Sequence, residues 1–135
     1  MFSHLMIGIA DFDRALAFYR PLAQALDLRE RFCDPASQWA GWQPAAGGRP
    51  LFIISRPYDG QPHVAGNGQM VVFQLFTRAQ VRAVHAAALA NGGRCEGPPG
   101  PRPQYHANYY GAYFRDSEGN KLAVACHGPE SEAGA

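Results

Sequence analysis

The sequence predicts an α+β fold made of two halves, each with a strand, then a helix, then two or three further strands. Three observations support this prediction. A short apolar run precedes a helical pattern near the N-terminus, the same order begins again at Gln69, and a turn-rich segment at residues 56–68 divides the chain between them. Laying Gln69 on His4 gives an offset of 65 residues and aligns apolar positions of the two predicted helices.

The first half begins with a short apolar strand at residues 5–9, and the following Asp11 and Asp13 are both placed to cap a helix. Apolar spacing predicts a helix from Arg14 to Leu28, and Pro21 should kink or restart it because proline has no amide hydrogen to donate. Two short strands are then predicted, at residues 38–43 and 51–54, with a Gly-Gly turn between them.

The second half begins with a strand at residues 69–75, and Thr77 with Gln80 has the spacing of a capping box at the start of a helix. That helix is predicted to end at Asn91, because the two following glycines are typical of a C-cap. The proline-rich segment at residues 97–103 indicates a stiff loop. Two strands complete the half, at residues 109–115 and 121–126, with a polar turn between them.

The composition excludes several classes of protein. The 12 Lys and Arg residues nearly balance 11 Asp and Glu, which leaves a net charge of +1 and no electrostatic footprint for nucleic acid or an anionic membrane. A hydrophobic content of 47% over 135 residues favours a single domain, residues 1–135, with a real core. The three cysteines form no C-x-x-C pair and no apolar stretch is long enough to span a bilayer, so we expect reduced thiols and a cytoplasmic location.

Three motifs indicate a family. H-x-x-I opens the first strand at His4, D-x-x-R-A-x-x-F-Y begins at Asp11, and F-R-D-x-x-G-N-K begins at Phe114. Together they resemble the glyoxalase, bleomycin-resistance and extradiol-dioxygenase superfamily, also called vicinal oxygen chelate proteins. The resemblance implies two βαβββ modules, one at about residues 2–58 and one at about 69–128, joined through the loop 56–68. It also implies that their curved mixed sheets enclose a cup holding a small molecule, commonly in a homodimer.

Metal-dependent members of that superfamily hold a divalent ion on four side chains at the floor of the cup. Carried over to this chain, the four positions fall on His4, Ile54, Gln69 and Ala123. A slip of one residue at Ile54 would present Ile53 or Ser55 instead. Because a divalent ion needs several nitrogen or oxygen donors and carboxylates to offset its charge, we expect no metal cofactor. Weak coordination of a divalent ion by His4 and Gln69 alone is left open.

Six residues are candidates for a pocket that binds a ligand: His4, Arg56, Gln69, Arg102, His106 and Tyr110. A polar ring at the start of an apolar strand needs a partner, which the cup would supply for His4. Arg102, His106 and one tyrosine lie in a stretch dense in donors and aromatic rings, where the alternative is that the tyrosines simply pack in the core. Since neighbouring strand residues face opposite sides, one of Tyr109 and Tyr110 must pack. His63 is expected to be exposed in its loop, and His85 to lie on the outer face of its helix.

Three functions remain open at this stage. The first is a superfamily member with a degenerate metal site that binds a small anionic or aromatic molecule, either by sequestration or as an enzyme of unassigned reaction. The second is a metal-dependent lactoylglutathione-lyase-like or dioxygenase enzyme. The third is a non-catalytic interaction module. The missing donors at Ile54 and Ala123 favour the first over the second, and the polar stretch from Arg102 to Tyr110 favours it over the third.

Overall fold

The computed structural model describes residues 1–129, in which each half of the chain has the order βαβββ. Module one consists of β1 (His4–Gly8), α1 (Phe12–Ala25), β2 (Leu28–Asp34), β3 (Trp39–Pro44) and β4 (Leu51–Ser55). Module two consists of β5 (Val71–Gln74), α2 (Arg78–Ala90), β6 (Arg94–Pro101), β7 (Tyr110–Arg115) and β8 (Lys121–Cys126). The predicted α+β class and the repeated order of elements are confirmed.

Each module forms its own four-stranded mixed sheet. The strand orders are β1-β4-β3-β2 and β5-β8-β7-β6, so the first strand of each module pairs in parallel with the last, and the other pairs are antiparallel. The sheets are curved but do not close. The two edge strands β2 and β6 were not predicted. Prolines at 98, 99 and 101 favour a loop on local grounds, yet an edge strand tolerates missing amides, and β6 pairs with β7 through two register shifts.

The helix starts show that the two modules are related by 66 residues rather than the predicted 65. Asp11 caps α1 by accepting a hydrogen bond from the Arg14 amide at 3.0 Å, and Thr77 caps α2 within the predicted capping box. With this offset, the fully buried Phe18 coincides with the fully buried Val84. α1 also runs unbroken through Pro21, so the predicted restart is wrong: the buried face of the helix holds the segment in place.

The core lies between the helices and the sheets. Tyr19 of α1 packs on Trp42 and Phe52 of the first sheet, with ring centroids 6.0 and 5.5 Å away. His85 is only 7% exposed, so the expectation that it lies on the outer face of its helix is wrong. Its position in α2 is the equivalent of Tyr19 in α1 under the corrected offset, which places it toward the sheet.

Side chains alternate between this core and the opposite side of each sheet, which we call the open face. In module one the open-face neighbours Met6, Ile53 and Gly41 lie side by side on three strands. In module two the corresponding row is Val72, Ala123 and Tyr113. Within residues 1–129, no helix has the length and apolar character needed to cross a membrane.

Candidate functional site

The residues on the open face do not fit a divalent metal ion. Ile54 is fully buried in the core, so it is Ile53 that faces the open side. With the 66-residue offset, the residue of module two that is equivalent to His4 is Met70 rather than Gln69. Ala123 does face the open side, as the resemblance implies, but it carries no donor. Among residues 1–129, no group of three or more His, Cys, Asp or Glu side chains is close enough to hold a metal. Of the four positions, only His4 offers a donor of the usual kind, whereas Ile53, Met70 and Ala123 present apolar side chains where nitrogen and oxygen donors would be needed.

Two of the six candidate residues stand apart from the rest. His4 is exposed at the start of β1, with its Nδ1 2.9 Å from the hydroxyl of Ser3. Tyr110 is only 8% exposed and belongs to the core on the helix side of β7. Its hydroxyl accepts a hydrogen bond from Arg82 at 3.3 Å, and the Arg78 guanidinium lies 4.8 Å from its ring centroid.

Arg56 and Gln69 line one cavity of about 360 Å³ between β1 and the loop 56–69, which we call the loop pocket. Gly8 and His63 explain why the loop folds there. A Cβ on Gly8 would lie 2.5 Å from Nδ1 of His63, so only glycine lets the imidazole lie against β1. The Nε2 of His63 is shielded from solvent without a hydrogen-bond partner in the described part of the chain, and the expectation of an exposed His63 is therefore wrong.

Arg102 and His106 belong to a second group of side chains, which we call the tyrosine cluster. Its members are Arg102, Tyr105, His106, Tyr109, Tyr113, Lys121 and His127. The chain between β6 and β7 turns back on itself, with the Arg102 amide donating to the Tyr109 carbonyl at 2.9 Å. This turn brings the loop residues over the open face of the second sheet, beside Tyr113.

Two cations lie close to the ring of Tyr113. The Arg102 guanidinium is 5.5 Å from its centroid and the Lys121 ammonium is 5.8 Å from it. Arg102 also donates to the Pro98 carbonyl at 2.8 Å, which holds the side chain in this position. Among residues 1–129, no carboxylate lies within 4.0 Å of either cation, whereas the nearby Arg115 is paired with Glu96 at 2.9 Å. The local charge of the cluster is therefore positive in a chain that is nearly neutral overall.

Two hydrogen bonds organise the rings. The hydroxyls of Tyr109 and Tyr113 are 3.0 Å apart, and His106 Nε2 is 2.9 Å from His127 Nδ1. The amide of Asn108 donates to His106 Nδ1, so Nε2 of His106 carries the hydrogen that it donates to His127. Burial, together with the bond to Tyr109, raises the pKa of Tyr113 to about 12, so its phenol stays protonated further into the alkaline range than an ordinary tyrosine does.

Sequence reasoning did not single out Tyr109, Tyr113 and His127 as site residues. The alternation of extended chain was the available signal, because Tyr109, directly before β7, shares its side with Tyr113, whereas Tyr110 takes the other. His127 follows β8 directly and reaches His106 across 21 residues of sequence, a pairing that only the fold establishes.

Solved structures of the same fold support this architecture. A glyoxalase/bleomycin resistance protein from Albidiferax ferrireducens T118 is 36% identical over 93% of this chain and 98% of its own, with a TM-score of 0.82. A lactoylglutathione lyase from Agrobacterium tumefaciens is 20% identical over 93% and 92% of the two chains, with a TM-score of 0.66. A glyoxalase-related enzyme from Fulvimarina pelagi is 15% identical over 100% and 95%, with a TM-score of 0.73.

The last two similarities concern the fold alone, since their identities are low. No functionally curated protein matches this chain. The model of one protein family matches residues 1–124, nearly the whole length of the sequence. With the two βαβββ modules and the 36% identical structure, this match shows that the chain belongs to the glyoxalase/bleomycin resistance protein/dioxygenase superfamily.

Proposed function

We propose that this protein binds a small molecule with an anionic group and an aromatic or planar part at the tyrosine cluster, without a divalent metal. The observation that supports the proposal is the placement of Arg102 and Lys121 on the ring of Tyr113 with no carboxylate partner among residues 1–129. Both cations are half-buried, and two neighbouring positive charges without a counter-ion attract an anion.

The phenols supply orientation in this proposal. Tyr113 is a protonated phenol that can donate a hydrogen bond, and Tyr109 stacks edge-to-face against both His106 and His127. These rings present π faces to a planar ligand while Arg102 holds its charge.

We further propose that the open faces are covered in a homodimer. Met6 is 56% exposed, and Met70, Val72 and Trp39 are also exposed large apolar side chains on or beside these faces. A soluble monomer rarely leaves such side chains adjacent and uncovered. A second copy would bury them and enclose the small molecule between two sheets, and the expected cytoplasmic location fits three cysteines without disulfides.

The test uses benzoate as the anionic aromatic probe and benzamide as its neutral counterpart of similar shape. We expect benzoate to shift the NMR signals of Tyr113 and Lys121, and benzamide to bind at least about tenfold more weakly because it lacks the charge. Lys121→Gln should weaken benzoate binding by about tenfold, whereas Arg29→Gln, which removes an exposed charge on β2, should leave it unchanged.

Four results would overturn these proposals. Equal binding of benzoate and benzamide would show that the cations are not used. Near-stoichiometric divalent metal in the purified protein, measured by elemental analysis, would restore the metal-dependent lyase or dioxygenase. A monomer at micromolar concentration in analytical ultracentrifugation would contradict the proposed homodimer. Failure of every aromatic acid tested to bind would favour the non-catalytic interaction module.

A further inference from the structure

A histidine and a cysteine meet on the helix side of the second sheet, away from the tyrosine cluster. Nε2 of His85 in α2 lies 3.3 Å from Sγ of Cys95 in β6. Cys95 is the register partner of Phe114, a fully buried core residue, so its side chain lies on the side of the sheet that α2 covers. The His85 ring is fixed from the other direction by an edge-to-face contact with Phe114, with centroids 6.3 Å apart.

The two side chains differ in exposure in the way that a nucleophile and its base require. His85 is buried, whereas Cys95 is exposed at the edge of the sheet and is open to a reagent from solvent. Burial lowers the pKa of His85, so its ring is neutral at pH 7 and one ring nitrogen is free to accept a proton. A neutral imidazole within hydrogen-bond reach of a thiol is the arrangement of a general base beside a nucleophile.

The other two cysteines lack this combination. Cys126 is buried in the core, where burial raises its pKa, so it is neither accessible nor easily ionised. Cys33 is half-buried and its sulfur accepts a hydrogen bond from Arg20 at 3.5 Å, with no imidazole in reach. Among the three thiols, Cys95 is thus the one that has both access to solvent and a base.

We propose that Cys95 is a covalent-modification site for uncharged, soft electrophiles of the α,β-unsaturated carbonyl class, with His85 as its base. In the step, Sγ forms a bond to the β-carbon of the electrophile and the π electrons move to give an enolate. His85 Nε2 takes the thiol proton and returns it to the α-carbon. The product is a thioether, no group leaves, and no oxidant or reductant is consumed.

The polarity of the surroundings favours an uncharged electrophile. The thiol of Cys95 has the buried imidazole of His85 beside it, and the imidazole packs on the apolar ring of Phe114. The charged neighbours of Cys95 on the strand, Arg94 and Glu96, form an ion pair with each other at 3.5 Å. This site is independent of the proposed ligand site, because Tyr113 lies on the opposite face of β7 from Phe114.

The experiment measures alkylation of the intact protein by N-ethylmaleimide, with mass spectrometry to assign the rate at each cysteine. At pH 7 we expect Cys95 to react at least about tenfold faster than Cys33, and His85→Gln to slow Cys95 by about tenfold while Cys33 is unaffected. His4→Gln, an exposed histidine far from either helix, is the matched control and should change nothing. Equal rates at Cys95 and Cys33, or an unchanged Cys95 rate in His85→Gln, would overturn the proposal.

A second measurement guards against misfolding of the His85 variant. In the wild-type protein, a thiol that reacts only after ionising in water speeds up about tenfold per pH unit below its pKa. A neutral imidazole base should instead give a Cys95 rate that changes little between pH 7 and 8, while the rate at Cys33 rises. A Cys95 rate that rises in parallel with that of Cys33 would contradict the role of His85.

Discussion

The hydroxyl of Tyr19 in α1 donates a hydrogen bond to Oδ2 of Asp116, 2.5 Å away in the turn between β7 and β8. This bond joins the two modules. Asp116 is only 4% exposed and also accepts from the amides of Glu118 and Asn120 and from the Asn120 side chain. Asn120 in turn donates to the Gly8 carbonyl of β1 at 2.9 Å. Two of the three motifs that suggested the family thus bond to each other, and their first role is to hold the modules together.

Removal of the Tyr19 hydroxyl should destabilise the protein because it leaves a buried carboxylate with one donor fewer. We expect Tyr19→Phe to lower the free energy of unfolding by about 1.5–3 kcal/mol, the range for hydrogen bonds to charged groups. Urea denaturation provides the measurement. Tyr58→Phe changes a fully exposed tyrosine and is the matched control. Identical denaturation midpoints for the two variants would show that the buried hydrogen bond contributes nothing to the free energy of unfolding.

A methyl group on Gly8 should displace His63 and open the loop pocket. Gly8→Ala places a Cβ 2.5 Å from His63 Nδ1. We expect the free energy of unfolding to fall by about 1–3 kcal/mol and proteolysis in residues 56–68 to become faster. Gly128→Ala adds a methyl group to open space and serves as the control. The double variant Gly8→Ala/His63→Ala should recover much of the loss, and a double variant as unstable as the sum of the two single ones would refute this contact.

The raised pKa of Tyr113 has a consequence at alkaline pH. An unfolded tyrosine ionises at pH 10.0 but Tyr113 in the folded protein ionises at about 12, so stability is fully present below pH 10 and falls as the pH rises toward 12. Tyr19, whose pKa burial also raises, acts in the same direction. In a titration followed by phenolate absorbance, Tyr19 and Tyr113 should contribute no signal near pH 10 and should ionise only when the protein unfolds. Complete ionisation near pH 10 with the fold intact would contradict the burial of both hydroxyls.

His85 should make the protein sensitive to acid. Burial lowers its pKa below the value of 6.5 of an unfolded histidine, so the unfolded chain binds more protons than the folded chain once the pH falls below about 6.5. Thermal melting between pH 7.5 and 5 should therefore show a Tm that falls with pH. His85→Gln should flatten this dependence, whereas His4→Gln should retain it, and equal slopes in all three proteins would exclude His85 as the cause.

Local sequence patterns predicted the elements with strong periodicity and clear caps. The capping box of Thr77 and Gln80 forms as expected, because both partners lie within one turn of helix. β2 was missed because its pairing with β3 comes from the neighbouring strand rather than from its own charged sequence. β6 was missed for a related reason, since its prolines forbid a central strand but not an edge strand.

The candidate site was harder to predict, because the open and the buried side of a strand differ by one residue. Ile54 and Tyr110 were assigned to the cup, yet their neighbours Ile53 and Tyr109 lie on that side. A register error of one position moves a side chain from the open face of the sheet to the core. His63 and His85 were likewise predicted to be more exposed than they are. His63 lies against Gly8 and His85 packs on Phe114, and both of these partners are far away in sequence.

The sequence alone was enough to predict the repeated βαβββ order, the family and the missing metal donors at Ile54 and Ala123, since all three depend on which residues follow one another. The tertiary structure was needed to show which tyrosine lies on the open face, which histidines are buried, and that Arg102 and Lys121 lie near one ring. The physical reason is that these relations are contacts between strands and loops distant in the chain. They are set by the pleat, the register and the packing of both modules together.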